Sequence, residues 1–246
     1  MHKHASESVH CPWCNQLIDW TSNQSVDKVV GMQTESIQQY FTNLLNPTDE
    51  PGKRKTALMQ ATFDVIAESG FEGLRTRAVA ERAGVNIATL HYYFPTKQAL
   101  VEGVAQFLGA KFVLLHGPAP APSGYCALDR LRQEFSDGRY YFEHEQKMLL
   151  VLEEFGLRGK RDPEVRKIVD MLQGHWRHGL ENMVIDGMKE GTFRGDVDRE
   201  ETLAMLLSMF SGATSCRGDQ LEAMQHGIER WLLTEEIWKA TRGAEQ

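Results

Sequence analysis

The chain has 246 residues, 41% of them hydrophobic and 25% charged, with a formal net charge of −7. It contains no apolar run of about 18 residues and no apolar stretch near its start, so it reads as a soluble, cytoplasmic protein without a membrane partner. Its four cysteines (Cys11, Cys14, Cys126, Cys216) are too few and too scattered for a disulfide scaffold.

The net acidity argues against the chain as a whole binding nucleic acid, but the charge is unevenly spread. Residues 53–100 carry seven basic and four acidic side chains, and the segments on either side are both acidic. Residues 1–52 read as a largely disordered N-terminal extension, apart from a short helical pattern over 33–45 (Ile37, Tyr40, Phe41, Leu44, Leu45). The turn-rich "NPTDEPG" then marks a boundary. From Lys53, apolar positions at Leu58, Ala61, Thr62, Val65 and Ile66 follow helical spacing and stop at Gly70. Thr76 opens a second short helix ending at Gly84, and Asn86 caps a third, "IATLHYYF". Pro95 breaks that pattern, and a longer helix runs from Lys97 to about Leu115.

The remainder also has helical spacing throughout, with no strand pattern. Helices are expected near 127–144 and 146–158, and from Pro163 at the first helical position after Asp162 to about Glu190. Asp198 and Glu201 open another, which reaches about Ala213, and a last one spans Asp219 to about Ala240.

Two short helices joined at a glycine make a helix-turn-helix. Isolated helices below about 12 residues are marginal in water. The second must therefore rest on its neighbours, through Val79, Ala80, Ala83, Val85, Leu90 and Phe94. The opposite face then presents Ile87, Ala88, Thr89, His91, Tyr92 and Tyr93, with Lys97 just beyond. A DNA major groove, about 12 Å wide, admits one such helix. Hydroxyls and lysine suit phosphates, while small side chains and threonine suit base edges.

The stretch "TRAVAERAGVNIATLHYYFPTKQAL", preceded by "QATFDVIAESGFEGL", resembles the DNA-binding signature of the tetracycline-repressor (TetR) family. The resemblance covers residues 55–101 almost continuously. It implies an all-helical homodimer of about nine helices per subunit. It also implies a C-terminal domain that binds a small-molecule effector, and repression of an operator in double-stranded DNA that is relieved by that effector. By position, Thr76 falls where the family binds phosphate and Arg77 where a base can be reached. Ile87, Ala88 and Thr89 fall at base-reading positions, and Tyr92, Tyr93 and Lys97 at phosphate-holding ones. Lys53 and Arg54, in the basic island, join the DNA-binding set. His91 departs from the family, which usually has tyrosine there; an imidazole can still donate to phosphate.

The domains expected are thus 1–52, the extension; 53–100, the helix-turn-helix domain; and 101–246, a ligand-binding and dimerisation domain. Phe107, Phe135, Tyr141, Met148, Phe155, Trp176, His175 and Met183 are the candidate lining of an effector pocket, favouring a bulky apolar molecule; ordinary core packing is the competing reading for each. Leu203, Leu206, Leu207 and Phe210, then Leu221, Met224, Ile228 and Trp231, form two apolar stripes expected to meet a second copy in a four-helix interface. "CPWC" (Cys11, Cys14) offers half of a tetrahedral zinc site, with His2, His4 and His10 nearby, but reads more simply as part of the tail. No Ser/His/acid set and no phosphate-cradling loop is present, so the chain is not read as an enzyme, and no metal or cofactor is assigned.

Overall fold

The computed structural model of the protein describes residues 34–115, 126–213 and 218–243. Among the described residues there are eleven helices: α1 Thr34–Leu45, α2 Glu50–Gly73, α3 Thr76–Arg82, α4 Ile87–Tyr93, α5 Lys97–Leu115, α6 Ala127–His144, α7 Gln146–Gly159, α8 Pro163–Glu190, α9 Arg199–Ala213, α10 Gly218–Leu232 and α11 Glu235–Gly243. The fold is all-α. Chain contacts divide it into two compact units, Met1–Pro120 with Leu150–His175, and Ala121–Leu149 with Trp176–Gln246.

In the first unit, α2 and α5 supply the core. Leu58, Met59, Phe63, Val65 and Ile66 of α2 and Leu100, Val104, Ala105 and Leu108 of α5 are buried. Helix α1, inside the N-terminal extension, packs on α5. Its Phe41 is buried, and the Leu44 carbonyl accepts the Thr56 hydroxyl at 2.7 Å. Helix α2 starts three residues before the expected Lys53. Asp49 caps it by accepting the Gly52 N–H at 3.2 Å, and Pro51 stands in the first turn, where a missing N–H costs nothing. At its other end the helix passes Gly70 (φ 63°, ψ −177°) as a kink and continues to Gly73. That conformation is strained for any residue with a Cβ.

The second unit has its core in α6, α8, α9 and α10. Leu131, Phe135, Leu180, Met183, Val184, Leu203, Leu206 and Ile228 form one buried cluster with Phe193, Leu232 and Leu233. Helix α8 begins as expected, with the Asp162 carboxylate accepting N–H groups of Glu164 and Val165 at 3.1 and 3.4 Å. The expected helix from Asp219 to Ala240 is broken in two. Phe193 and Leu233 form an antiparallel bridge, Arg194 N–H donates to Leu232 O at 2.8 Å, and Thr234 N–H donates to Thr192 O at 3.1 Å. The Leu232 carbonyl and the Thr234 N–H thus bond to the turn after α8, while the Leu233 N–H still donates to Glu229 O at 3.0 Å within its own helix. A bidentate ion pair ties α6 to α10: Arg132 donates to both oxygens of buried Glu229 at 2.9 and 2.8 Å, and Gln225 donates to the same carboxylate at 2.9 Å.

Candidate nucleic-acid interface

Helices α3 and α4 are seven residues each and depend on what lies beneath them. Val79 and Ala80 of α3 and Leu90 of α4 are buried, with Phe94 closing the far end of α4. Ala83 and Val85, expected in that core, are only half-buried. An ion pair of 2.5 Å between Arg82 and Glu68 fastens α3 to α2. The turn between α3, the buttress, and α4, the probe helix, has a defined geometry. Gly84 takes φ 66°, Gly84 N–H donates to Glu81 O at 3.1 Å, and Val85 N–H donates to Ala80 O at 3.0 Å. Those two bonds are a Schellman ending, which requires the left-handed conformation that glycine adopts freely. Asn86 then caps α4, its side-chain oxygen accepting the Thr89 N–H at 2.8 Å.

The outer face of α4 is as the sequence predicts in kind. Tyr92 is 80% exposed and Ile87 38%, and Ala88 and His91 are exposed as well. Exposed apolar and aromatic side chains on a helix this short are unfavourable in water, and their placement on one face marks a surface for contact. Thr89 and Tyr93 are half-buried, and the Tyr92 and Tyr93 rings meet edge to face at 5.1 Å. Thr76 is the first residue of α3 and half-buried, with Arg77 exposed beside it. Lys97 is exposed at the first position of α5, a helix capped by Thr96, whose hydroxyl accepts the Ala99 N–H at 3.0 Å. Lys53 and Arg54 are exposed on the first turns of α2, with Lys53 also paired to Glu50 at 2.9 Å.

Two supports of this surface carry no local signal in the sequence. Gly103 of α5 lies directly under Phe94: a Cβ built there would stand 2.6 Å from the ring. Glu154 of α7 accepts the Phe71 N–H at 3.0 Å, next to the Gly70 kink, while Phe155 meets Phe71 edge to face at 5.0 Å and Arg158 lies 3.7 Å from Glu72. The segment leading into the helix-turn-helix is therefore held by residues some 83 positions further along the chain.

The candidate pocket residues are divided between the units. Phe107 packs on Phe63 (5.8 Å between rings) and Phe155 on Phe71, both buried in the first unit. Phe135, Tyr141, Met148 and Met183 are buried in the second unit; Trp176 is half-buried there, its indole N–H donating to Glu134 at 3.0 Å. Phe135 and Trp176 both pack on Phe210, at 4.9 and 5.8 Å. The His175 side chain, with Cys11 and Cys14, lies outside the described residues.

The two apolar stripes need correction. Leu203, Leu206, Leu221 and Ile228 are buried inside the protomer, where α9 and α10 close its own core. Leu207, Phe210, Met224 and Trp231 are half-buried at the edge of that core, and Met205 beside them is exposed. Only this second group has surface left for a partner.

A three-helix unit that buries one side of a seven-residue helix and exposes hydroxyl and imidazole groups on the other, with an ammonium at the start of the next helix, is a helix-turn-helix DNA-binding domain. Residues 58–104 match the profile of the family described as bacterial regulatory proteins, tetR family. The chain is 26% identical over 164 residues to the transcriptional repressor KstR2 of Mycolicibacterium smegmatis, a match spanning 61% of this chain and 72% of that protein. It is 45% identical over 51 residues to the transcriptional regulator RutR of Escherichia coli, spanning 21% of this chain and only 24% of RutR. A crystal structure of a TetR-family regulator from a Rhodococcus species superposes with a TM-score of 0.65 at 19% identity, over 74% of this chain and 99% of that one. Residues 58–104 are thus a helix-turn-helix domain of the TetR type, and the relatives that share it are transcriptional regulators. No helix among the described residues is long and apolar enough to cross a membrane.

Proposed function

We propose that the protein is a homodimeric repressor that holds a palindromic operator through its two α4 helices and releases it when a small, mostly apolar molecule binds the region after residue 100. The observation that carries this reading is the outward face of α4, with Thr89, His91 and Tyr92 available on a helix whose inner side is locked by Leu90 and Phe94. Similarity to a repressor over most of its length supports the direction of control. Thr76, Tyr93, Lys97, Lys53 and Arg54 serve as phosphate contacts, while Ile87, Ala88, Thr89 and Arg77 reach base edges.

Release follows from geometry. Helix α5 starts at Lys97 and packs Gly103 against Phe94 at the end of α4. A ligand that tilts α5 displaces both the phosphate contact and the seat of the probe helix. In a dimer with half-sites about 34–36 Å apart, that displacement spoils simultaneous engagement. The half-buried Leu207, Phe210, Met224 and Trp231, with exposed Met205, supply the dimer contact.

Two measurements test this. A gel shift with the DNA upstream of the protein's own gene should show a specific complex, and light scattering at micromolar concentration should give a dimeric mass; a monomer would overturn the paired half-site reading. For any compound that releases the complex, operator must weaken its binding by the same factor by which it weakens operator binding, typically about 5- to 150-fold. Equal ligand affinities in calorimetry with and without operator would rule the release mechanism out.

A further inference from the structure

The Asn86 side-chain oxygen accepts two hydrogen bonds from one residue: the Thr89 N–H at 2.8 Å and the Thr89 hydroxyl at 3.0 Å. The first bond decides the chemistry of the second. A backbone N–H can only donate, so the Asn86 atom facing it is the amide oxygen and not the amide nitrogen. That oxygen bears no proton, and the Thr89 hydroxyl must therefore supply its single proton to Asn86. What Oγ1 keeps for any outside partner is its lone pairs.

Ile87 and Ala88, the other residues of this first turn, have no polar side-chain atoms. Hydrogen-bonded readout from the turn thus rests on one oxygen, whose polarity Asn86 sets. We propose that Thr89 reads the major groove as an acceptor only, recognising the exocyclic amine of adenine or cytosine and passing over the N7, O6 and O4 acceptors that an unrestrained hydroxyl would also serve. To donate to those acceptors Thr89 must give up its bond to Asn86, which biases the equilibrium by about 2- to 10-fold. Asn86 is accordingly a positioning residue for specificity as well as a helix cap. The inference rests on the reading of α4 as the groove-reading helix.

Every Watson–Crick pair shows one exocyclic amine in the major groove, so base preference alone is not the readout; deletion of the amine is. A duplex is first selected from a randomised pool with the full chain. The position read by Thr89 is the one whose preference disappears in Thr89→Val, which keeps the shape and removes the oxygen. At that position the amine is deleted (purine for adenine, 2-pyrimidinone for cytosine) or, separately, N7 is deleted with a 7-deazapurine. Amine deletion should weaken wild-type binding about fivefold or more and leave Thr89→Val unaffected, while N7 deletion should leave wild type unaffected. Asn86→Gly, which nearly preserves the helix start, should free the proton and make binding sensitive to N7 deletion. A wild-type loss on N7 deletion that Thr89→Val abolishes would overturn the proposal. So would an enriched duplex in which no position depends on Thr89. If the pool yields no enriched duplex at all, the DNA-binding reading of α4 fails first.

Discussion

Gly103→Ala sets helix propensity against the seat of the probe helix. Alanine is better than glycine inside a helix by about 1 kcal/mol, so on propensity alone the variant would be more stable. The new Cβ, however, would stand 2.6 Å from Cε1 and 3.1 Å from Cζ of the Phe94 ring. Ordinary carbon contacts are about 3.5–4.0 Å, so the ring has to retreat by about 1 Å. It cannot do so alone, because Phe94 is buried and its N–H is bonded to Leu90 O at 2.8 Å as the cap of α4. Overpacking of this kind costs about 1–3 kcal/mol. The clash therefore wins, with a net loss of about 1 kcal/mol and a fall in melting temperature of roughly 2–4 °C for a chain of this length. Operator affinity should fall further, by about 1–3 kcal/mol, since a shifted α4 loses the equivalent of one base contact. Thermal melting and fluorescence anisotropy on a selected duplex measure the two effects, and adding Phe94→Leu to make room should recover part of both. A Gly103→Ala protein that melts higher and binds like wild type would refute the reasoning.

Lys97→Ala should weaken binding to all DNA sequences alike and lower the slope of log affinity against log salt by about 1; an effect confined to one base position would contradict its phosphate role. Gly70→Ala meets a φ of 63° and the Glu154 carboxylate at 2.8 Å from the new Cβ, and should cost about 1–3 kcal/mol in urea unfolding; a neutral result would mean the kink relaxes freely. Burial pushes the Glu229 carboxyl up, but hydrogen bonds from Arg132 and Gln225 and the charge of Arg132 outweigh it and hold the group below its ordinary 4.5. Because the folded value is the lower one, this stabilisation is present above the unfolded pKa and lost as pH falls through the folded one. Melting temperature between about pH 5 and 3 should therefore drop less steeply in Glu229→Gln than in wild type; parallel acid limbs would show that the pair contributes nothing.

The helix-turn-helix was legible because its determinants are local. A glycine that must turn left-handed, an asparagine that caps, and alanines that let helices approach are all written within the stretch they shape. The start of α2 was misplaced for the converse reason: Pro51 breaks a helix interior but is harmless in the first turn, and only the Asp49 cap shows which applies. The break between α10 and α11 depends on the turn at 191–194, some 40 residues earlier in the chain. No periodicity within the last helix could report it. The apolar stripes of α9 and α10 show the limit from another side. Spacing says that Leu203, Leu206, Leu221 and Ile228 must be covered, but it cannot say whether the cover comes from the same chain or another. Here, for Leu203, Leu206 and Ile228, it comes from residues of α6 and α8.

The bond from Phe71 N–H to Glu154 has a practical use. Most amides in α2 are protected by that helix's own carbonyls, so their exchange with solvent reports the opening of the helix. The Phe71 amide lies just past the kink and is covered by a carboxylate from another helix. Its exchange rate, followed by hydrogen–deuterium labelling, therefore reports separation of α7 from the end of α2 without any unwinding of α2. One backbone amide, observed in free protein, in the presence of operator and in the presence of a releasing compound, would follow how firmly the entry to the probe helices is held in each state.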